Sequence, residues 1–245
     1  MIDKLLLFQG KPYRISNLVS VNNPTLGQIA DFGEERYWNL VTHLCATSFD
    51  YRLLLDETGI DYVDIDDWTM FYNMYRTFDY EETKILLPSI DFSTLHLYKN
   101  DESDQVVMMN DTDEIVINDA IYYELIEFIR NCHGLERNFK IPGNKTAREI
   151  YMREAREARD LAGRKKFKSH LEPLISALCN IEGFKYNFDT IWDLSIYAFM
   201  DAIRRIQKIK SADHLMGGMY SGMLDIGKMN KGKLNKELNW LGELS

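Results

Sequence analysis

Only three cysteines, Cys45, Cys132 and Cys179, occur among 245 residues, and none stands at the spacing of a paired-cysteine motif. An odd number of widely separated thiols excludes a disulfide framework and describes free, mostly buried side chains in a reducing compartment. The five histidines, His43, His96, His133, His170 and His214, have no cysteine pair beside them and lack the spacing of zinc ligands, so no metal is expected. Long apolar runs are missing as well. The run at 5–8 is far below the roughly 7 to 15 residues of a signal-peptide core, and nothing approaches the roughly 20 of a membrane span. Residence in a cytoplasm, away from membranes, is the expectation. Repeats and low-complexity tracts are absent.

Other chemistries are excluded in the same way. The glycine-containing stretches have no phosphate-cradling loop with its lysine, and residues 216–222 do not lie between a strand and a helix, as a nucleotide fingerprint must. The acidic group Asp61, Asp64, Asp66, Asp67 fails as a calcium loop, because Asp66 stands where its glycine belongs and Tyr72 where its bidentate glutamate belongs. A solvated helix N-terminus, where carboxylates complement the dipole, explains the cluster instead. Cys132 and His133 are sequence neighbours, which point in different directions on a helix and make no nucleophile–base pair. No catalytic residue, metal or cofactor is expected.

What is present is apolar content and uneven charge. Hydrophobic residues make up 45% of the chain, enough for a proper core in one large domain or two small ones. The net charge of −9 argues against a surface devoted to nucleic acid. Between Asp50 and Asp119 there are 18 acidic against 4 basic residues, so the remainder is net positive. Such blocks either solvate exposed faces or orient a partner, including a neighbouring copy in a homo-oligomer.

The pattern predicts an α+β fold, predominantly helical with a small antiparallel β-meander. Residues 5–8 and 13–21 read as a hairpin around Gly10, Lys11 and Pro12. Thr25 with Gln28 has the form of a capping box opening a helix that Gly33 weakens in its middle. Ser48 is placed to cap a second helix that Gly59 stops. A third begins near Asp66 or Asp67 and presents Trp68, Phe71, Tyr72 and Tyr75, and a short fourth ends before Pro88. Around Leu95 and Leu97, 106–109 and 115–117 lie three short strands. Asn118 caps a helix closed by Gly134. Ile141, Pro142 and Gly143 mark a boundary between a mixed domain, 1–140, and a helical one, 141–210. Asn144 caps a charged helix to about Leu161, with Glu149, Arg153 and Glu157 four apart. Ser169 opens a helix with Pro173 in its first turn, closed by Gly183. The helix over 196–209 sets Ile196, Phe199, Met200, Ile203 and Ile206 on one face. Residues 211–245 read as a flexible basic tail with Gly217, Gly218, Gly222, Gly227 and Gly232 among Lys228, Lys231, Lys233 and Lys236. It ends in Leu238, Trp240, Leu241 and Leu244, which either anchor to a partner or fold back on the chain.

The stretch 184–210 looks like an interaction surface. Arg204, Arg205, Lys208 and Lys210, with 164–168 and the tail lysines, could neutralise phosphates while Phe184, Tyr186 and Phe188 stack bases. The same cations suit helix C-termini, which makes nucleic acid the weaker alternative.

Gly183-Phe184-Lys185-Tyr186-Asn187, then Asp189-Thr190-Ile191-Trp192-Asp193, then Ala198-Phe199-Met200-Asp201 and 204–210 together resemble proteins of the tail-gene clusters of phages and prophages of Gram-positive bacteria. The motif Pro24-Thr25-Leu26-Gly27-Gln28-Ile29 and the closing Leu238-Asn239-Trp240-Leu241-Gly242 agree. The resemblance implies a tail assembly chaperone in the host cytoplasm that holds the tape-measure protein until tube subunits polymerise around it. A tail or baseplate subunit of the virion is the alternative. Trp68, Phe71, Tyr72, Trp192, Arg204, Arg205, Lys208, Trp240 and Leu241 are the expected partner-binding residues.

Overall fold

The computed structural model describes residues 4–99, 105–112, 114–162, 166–223, 230–242 and 244. Its class is the expected one, mostly helical with two small antiparallel sheets. The start of the chain differs from expectation: the first apolar run is a helix, α1 (Lys4–Phe8), and the hairpin lies wholly inside the second run. There β1 (Tyr13–Arg14) pairs with β2 (Ser20–Val21) around a turn in which Ser16 Oγ accepts from Val19 N at 3.0 Å. A four-residue run is too short to carry a period, so packing decided its form. Leu7 is buried, and its carbonyl accepts from Asn23 Nδ2 at 2.8 Å.

The local signals that follow are mostly realised. Both hydrogen bonds of the Thr25–Gln28 capping box open α2 (Leu26–Phe32). Gly33, at φ +98°, does more than weaken that helix. It ends α2 and starts α3 (Glu34–Leu44) in a conformation that a side chain would strain. Ser48 does not cap the next helix, α4 (Arg52–Glu57). Its hydroxyl donates instead to the Tyr62 carbonyl, 2.7 Å away, and the helix starts after Tyr51. Asp66 caps α5 (Asp67–Met74) by accepting from Thr69 N, and α6 (Tyr80–Thr83) precedes Pro88. The meander is β3 (Leu95–Lys99), β4 (Val106–Asn110) and β5 (Val116–Ile117), in register Leu95↔Asn110 and Met108↔Ile117. Asn118 and left-handed Gly134 bound α7 (Asp119–His133). Asn144 accepts from Ala147 N, at 2.9 Å, at the head of α8 (Lys145–Ala162). Ser169 accepts from Glu172 N, at 2.8 Å, before α9 (Leu171–Cys179).

The largest difference lies at the C-terminus. α10 (Ile196–Tyr220) continues well past Ile209 through Gly217 and Gly218, and α11 (Lys231–Leu238) folds back against it. The described part of the expected flexible tail is therefore mostly helix, with α11 docked on α10. Each glycine costs a helix about 1 kcal/mol relative to alanine. Packing offsets this, with Ala212 fully buried and Leu234 only 6% exposed. Gly227 and Lys228 lie outside the described residues, as do Arg164 and Lys165 of the expected basic cluster.

One core draws Leu7 from α1, Tyr37 from α3, Trp68 and Phe71 from α5, Phe128 from α7, Ile175 from α9 and Phe199 from α10. It therefore takes residues from both sides of the exposed segment 141–143. A smaller cluster of Phe49, Leu55, Tyr62 and Met70 receives Tyr151 of α8. Around it the acidic block is partly neutralised within the chain. Arg148 reaches Asp61, Arg156 stands 4.0 Å from Asp56, and Arg159 stands 3.1 Å from Glu57. The acidic cluster is accordingly not all solvated: Asp67 is 1% exposed and bonded to Arg137 Nε at 2.7 Å.

Candidate partner-binding groove

Two chain segments far apart in sequence hold α10 in place. Leu26 N donates to the Leu194 carbonyl at 2.9 Å, Ile196 N donates to Pro24 O at 2.8 Å, and Thr25 bridges Ser195. The first lies in one motif of the phage-tail resemblance and the second between two others, at 189–193 and 198–201, and the fold joins them backbone to backbone. Gly27 makes the approach possible, since a Cβ there would stand 3.2 Å from the Trp192 carbonyl. Gly27→Ala is expected to lose about 1–3 kcal/mol by overpacking against about 1 kcal/mol gained in helix propensity, a net loss of about 1 kcal/mol read as a lowered thermal midpoint. An unchanged midpoint would show that the joint yields freely.

The second fastening is a carboxylate. Glu34, at the head of α3, accepts from Ser169 Oγ at 2.5 Å, His170 N at 2.7 Å, Leu171 N at 2.9 Å and Trp38 Nε1 at 3.3 Å. It thus caps α9 from 135 to 137 residues away in the sequence. Burial pushes its carboxyl pKa up, but the four donors outweigh burial and hold it below its usual value.

On this frame, α10 and the turn after α9 enclose an apolar groove of about 530 Å³. Ala202, Ile206 and Ile209 form one wall, and Ile181, Phe184 and Tyr186 the other. Charges of both signs rim it: Glu182, Asp201 and Asp213 against Lys185, Arg205 and Lys210. A second apolar groove, of about 270 Å³, lies between α2 and α9 and includes Leu26, Ile175, Phe188 and Trp192.

The expected partner residues do not share one site. Trp68 is 7% exposed, and both it and Phe71 pack on Tyr122, with ring centroids 5.5 and 4.7 Å away. They are core residues, Trp68 reaching the surface only at the pocket beside Tyr72, which corrects their expected role as exposed anchors. Tyr72 is half-buried beside a pocket of about 200 Å³ shared with Asp66 and Asn118. Trp192 is 40% exposed at the second groove, its indole N–H donating to Phe188 O at 2.7 Å. Arg204 lies beside Gly134, and its Nε donates to Met200 O at 3.3 Å. Arg205 donates to the carbonyls of Trp240 and Gly242, the latter at 2.9 Å, so the structure joins two of the expected residues. Lys208 lies half-buried on α10. Trp240 and Leu241 are 43% and 74% exposed.

The role of Glu34 was not foreseen from the sequence, whereas the groove walls fall mostly inside the stretch 184–210 expected as an interaction surface. One signal for the groove was available: the apolar row of α10 continues through Ile206 and Ile209, whereas its fully buried members end at Phe199 before Ala212. A stripe longer than the core it serves leaves apolar surface over.

The thiols of Cys45 and Cys132 and the ring of His133 sit in the core. Burial pushes Cys45 and Cys132 up to about 12. His133 Nε2 accepts from Tyr37 at 2.6 Å while Nδ1–H donates to Ile129 O. Among the described residues no three His, Cys, Asp or Glu side chains are placed to hold a metal, and no helix is long and apolar enough to cross a membrane.

No curated protein and no solved structure matches the chain. Residues 163–244, which carry α9, α10 and α11, match the family model described as the YomV second domain, and this phage-associated family supports a phage protein.

Proposed function

We propose that the protein is a non-enzymatic phage tail morphogenesis factor, an assembly chaperone that holds an amphipathic helix of the tape-measure protein in the host cytoplasm. The observation that carries this reading is the apolar groove along α10. Its α10 wall runs from Asp201 to Asp213, about 18 Å at 1.5 Å per residue, which suits a helix of about three turns. Helix-in-groove recognition needs an apolar trough with charged rims that set orientation, and those features occur together here.

The test is co-expression with the tape-measure protein of the same gene cluster, followed by pull-down. Ile206→Asp places a charge in the trough and is expected to weaken capture at least tenfold with the fold intact. Undiminished capture would remove the groove from the reading. Finding the protein at stoichiometric amounts in purified mature particles would replace the chaperone with a virion subunit.

A further inference from the structure

We infer that α11 and the residues to Gly242 form a displaceable strap whose latch is Arg205, and that its release enlarges the groove on α10. The inference rests on the groove being the partner site and concerns its regulation. Arg205 stands on the boundary: its side chain lines the groove, while its guanidinium is spent on the carbonyls of Trp240 and Gly242 beyond the end of α11. One residue thus serves as groove wall and strap anchor at once.

Among the described residues, few buried side chains hold the strap besides this latch. An eight-residue helix does not persist alone in water, so α11 exists because it is docked. Its only fully covered side chain is Leu234, and Leu238 is half-buried. Of the apolar groups that follow, Leu241 stays largely outside, Trp240 is 43% exposed and Leu244 is half-buried. Elements with few buried contacts open far more often than the core does. On opening, Arg205 loses both acceptors and is free to swing, and the part of α10 that α11 covers is uncovered next to the groove that Arg205 lines. A partner helix would then meet a wider apolar surface and a guanidinium ready for a carboxylate.

Hydrogen exchange of the full-length chain, measured without any partner, tests the latch. Arg205→Gln is expected to speed exchange of the α11 amides at least tenfold, with α7 unaffected. Leu234→Asp, which lies on the strap and leaves the groove residues intact, is expected to do the same. Both should raise binding of the apolar dye bis-ANS several-fold, and adding Ile206→Asp should abolish that gain. Unchanged α11 exchange in both variants overturns the strap, and so does faster exchange without a dye gain, or a gain that survives Ile206→Asp. If the strap behaves as expected and the chain still fails to capture the tape-measure protein, the proposed function falls and the strap stands.

Discussion

Replacing Glu34 with alanine is expected to destabilise the protein by about 3 kcal/mol and to loosen α9 before any other core helix. The first N–H groups of a helix have no acceptor within it, and at α9 two of them, with the Ser169 hydroxyl, are satisfied by this carboxylate. Removing it leaves those donors without their acceptor and also takes a negative charge from the head of α3, where the helix dipole favours one. Denaturant unfolding measures the loss, and exchange of the α9 amides locates it. Glu34→Gln keeps an acceptor oxygen without the charge and should lose about half as much. A Glu34→Ala chain as stable as the parent would sink the account, and equal losses for both variants would show that the charge carries the whole effect and a neutral acceptor none. Because the folded carboxyl is held below its usual value, the stabilisation is present at neutral pH and lost as pH falls through the folded value.

That fastening shows where sequence reading stops. Caps were legible because they are local: Thr25 with Gln28, Asn118 with Ile121, Asn144 with Ala147 and Ser169 with Glu172 all act within three residues. The meander was legible because short β-rich runs alternate with acidic turns. Glu34 reads as an ordinary charge in a first turn, and nothing near it in sequence indicates that its donors lie at 169–171. The same blindness placed Trp68 and Phe71 on a surface, since an aromatic stripe looks alike whether a partner covers it or α7 does. The C-terminal tail misled for the opposite reason. Its glycines and lysines describe a poor helix in isolation, and only burial of Ala212 and Leu234 between α10 and α11 reverses that preference. Of the candidate site, the exposed Trp192 and Trp240 and the cation Arg205 were visible as residues, but the Arg205 latch to the tail carbonyls was not.

Acid should weaken the fold through His133, and the sign follows from its burial. The ring is fully covered in the core, held neutral between Tyr37 and the Ile129 carbonyl, and burial lowers its pKa from 6.5 to about 4. Between those values the unfolded chain binds a proton that the folded chain refuses, so stability falls as pH falls. The full effect is absent above pH 7, reaches about 2 kcal/mol by pH 5 and about 3 kcal/mol by pH 4. Urea midpoints across that range, compared between the parent and His133→Gln, isolate it: the variant starts less stable but its profile should be flatter by those amounts. Parallel profiles would show that His133 does not control the acid response. His43 is also lowered by burial and adds in the same direction, so the variant keeps a residual slope. Glu34 enters only afterwards, below the usual carboxylate range. Trp38 spans the two sites, its ring 5.7 Å from that of His133 and its indole N–H on Glu34. Acid therefore strains the α3–α7 core first, while the clip on α9 still holds, and releases α9 only at lower pH.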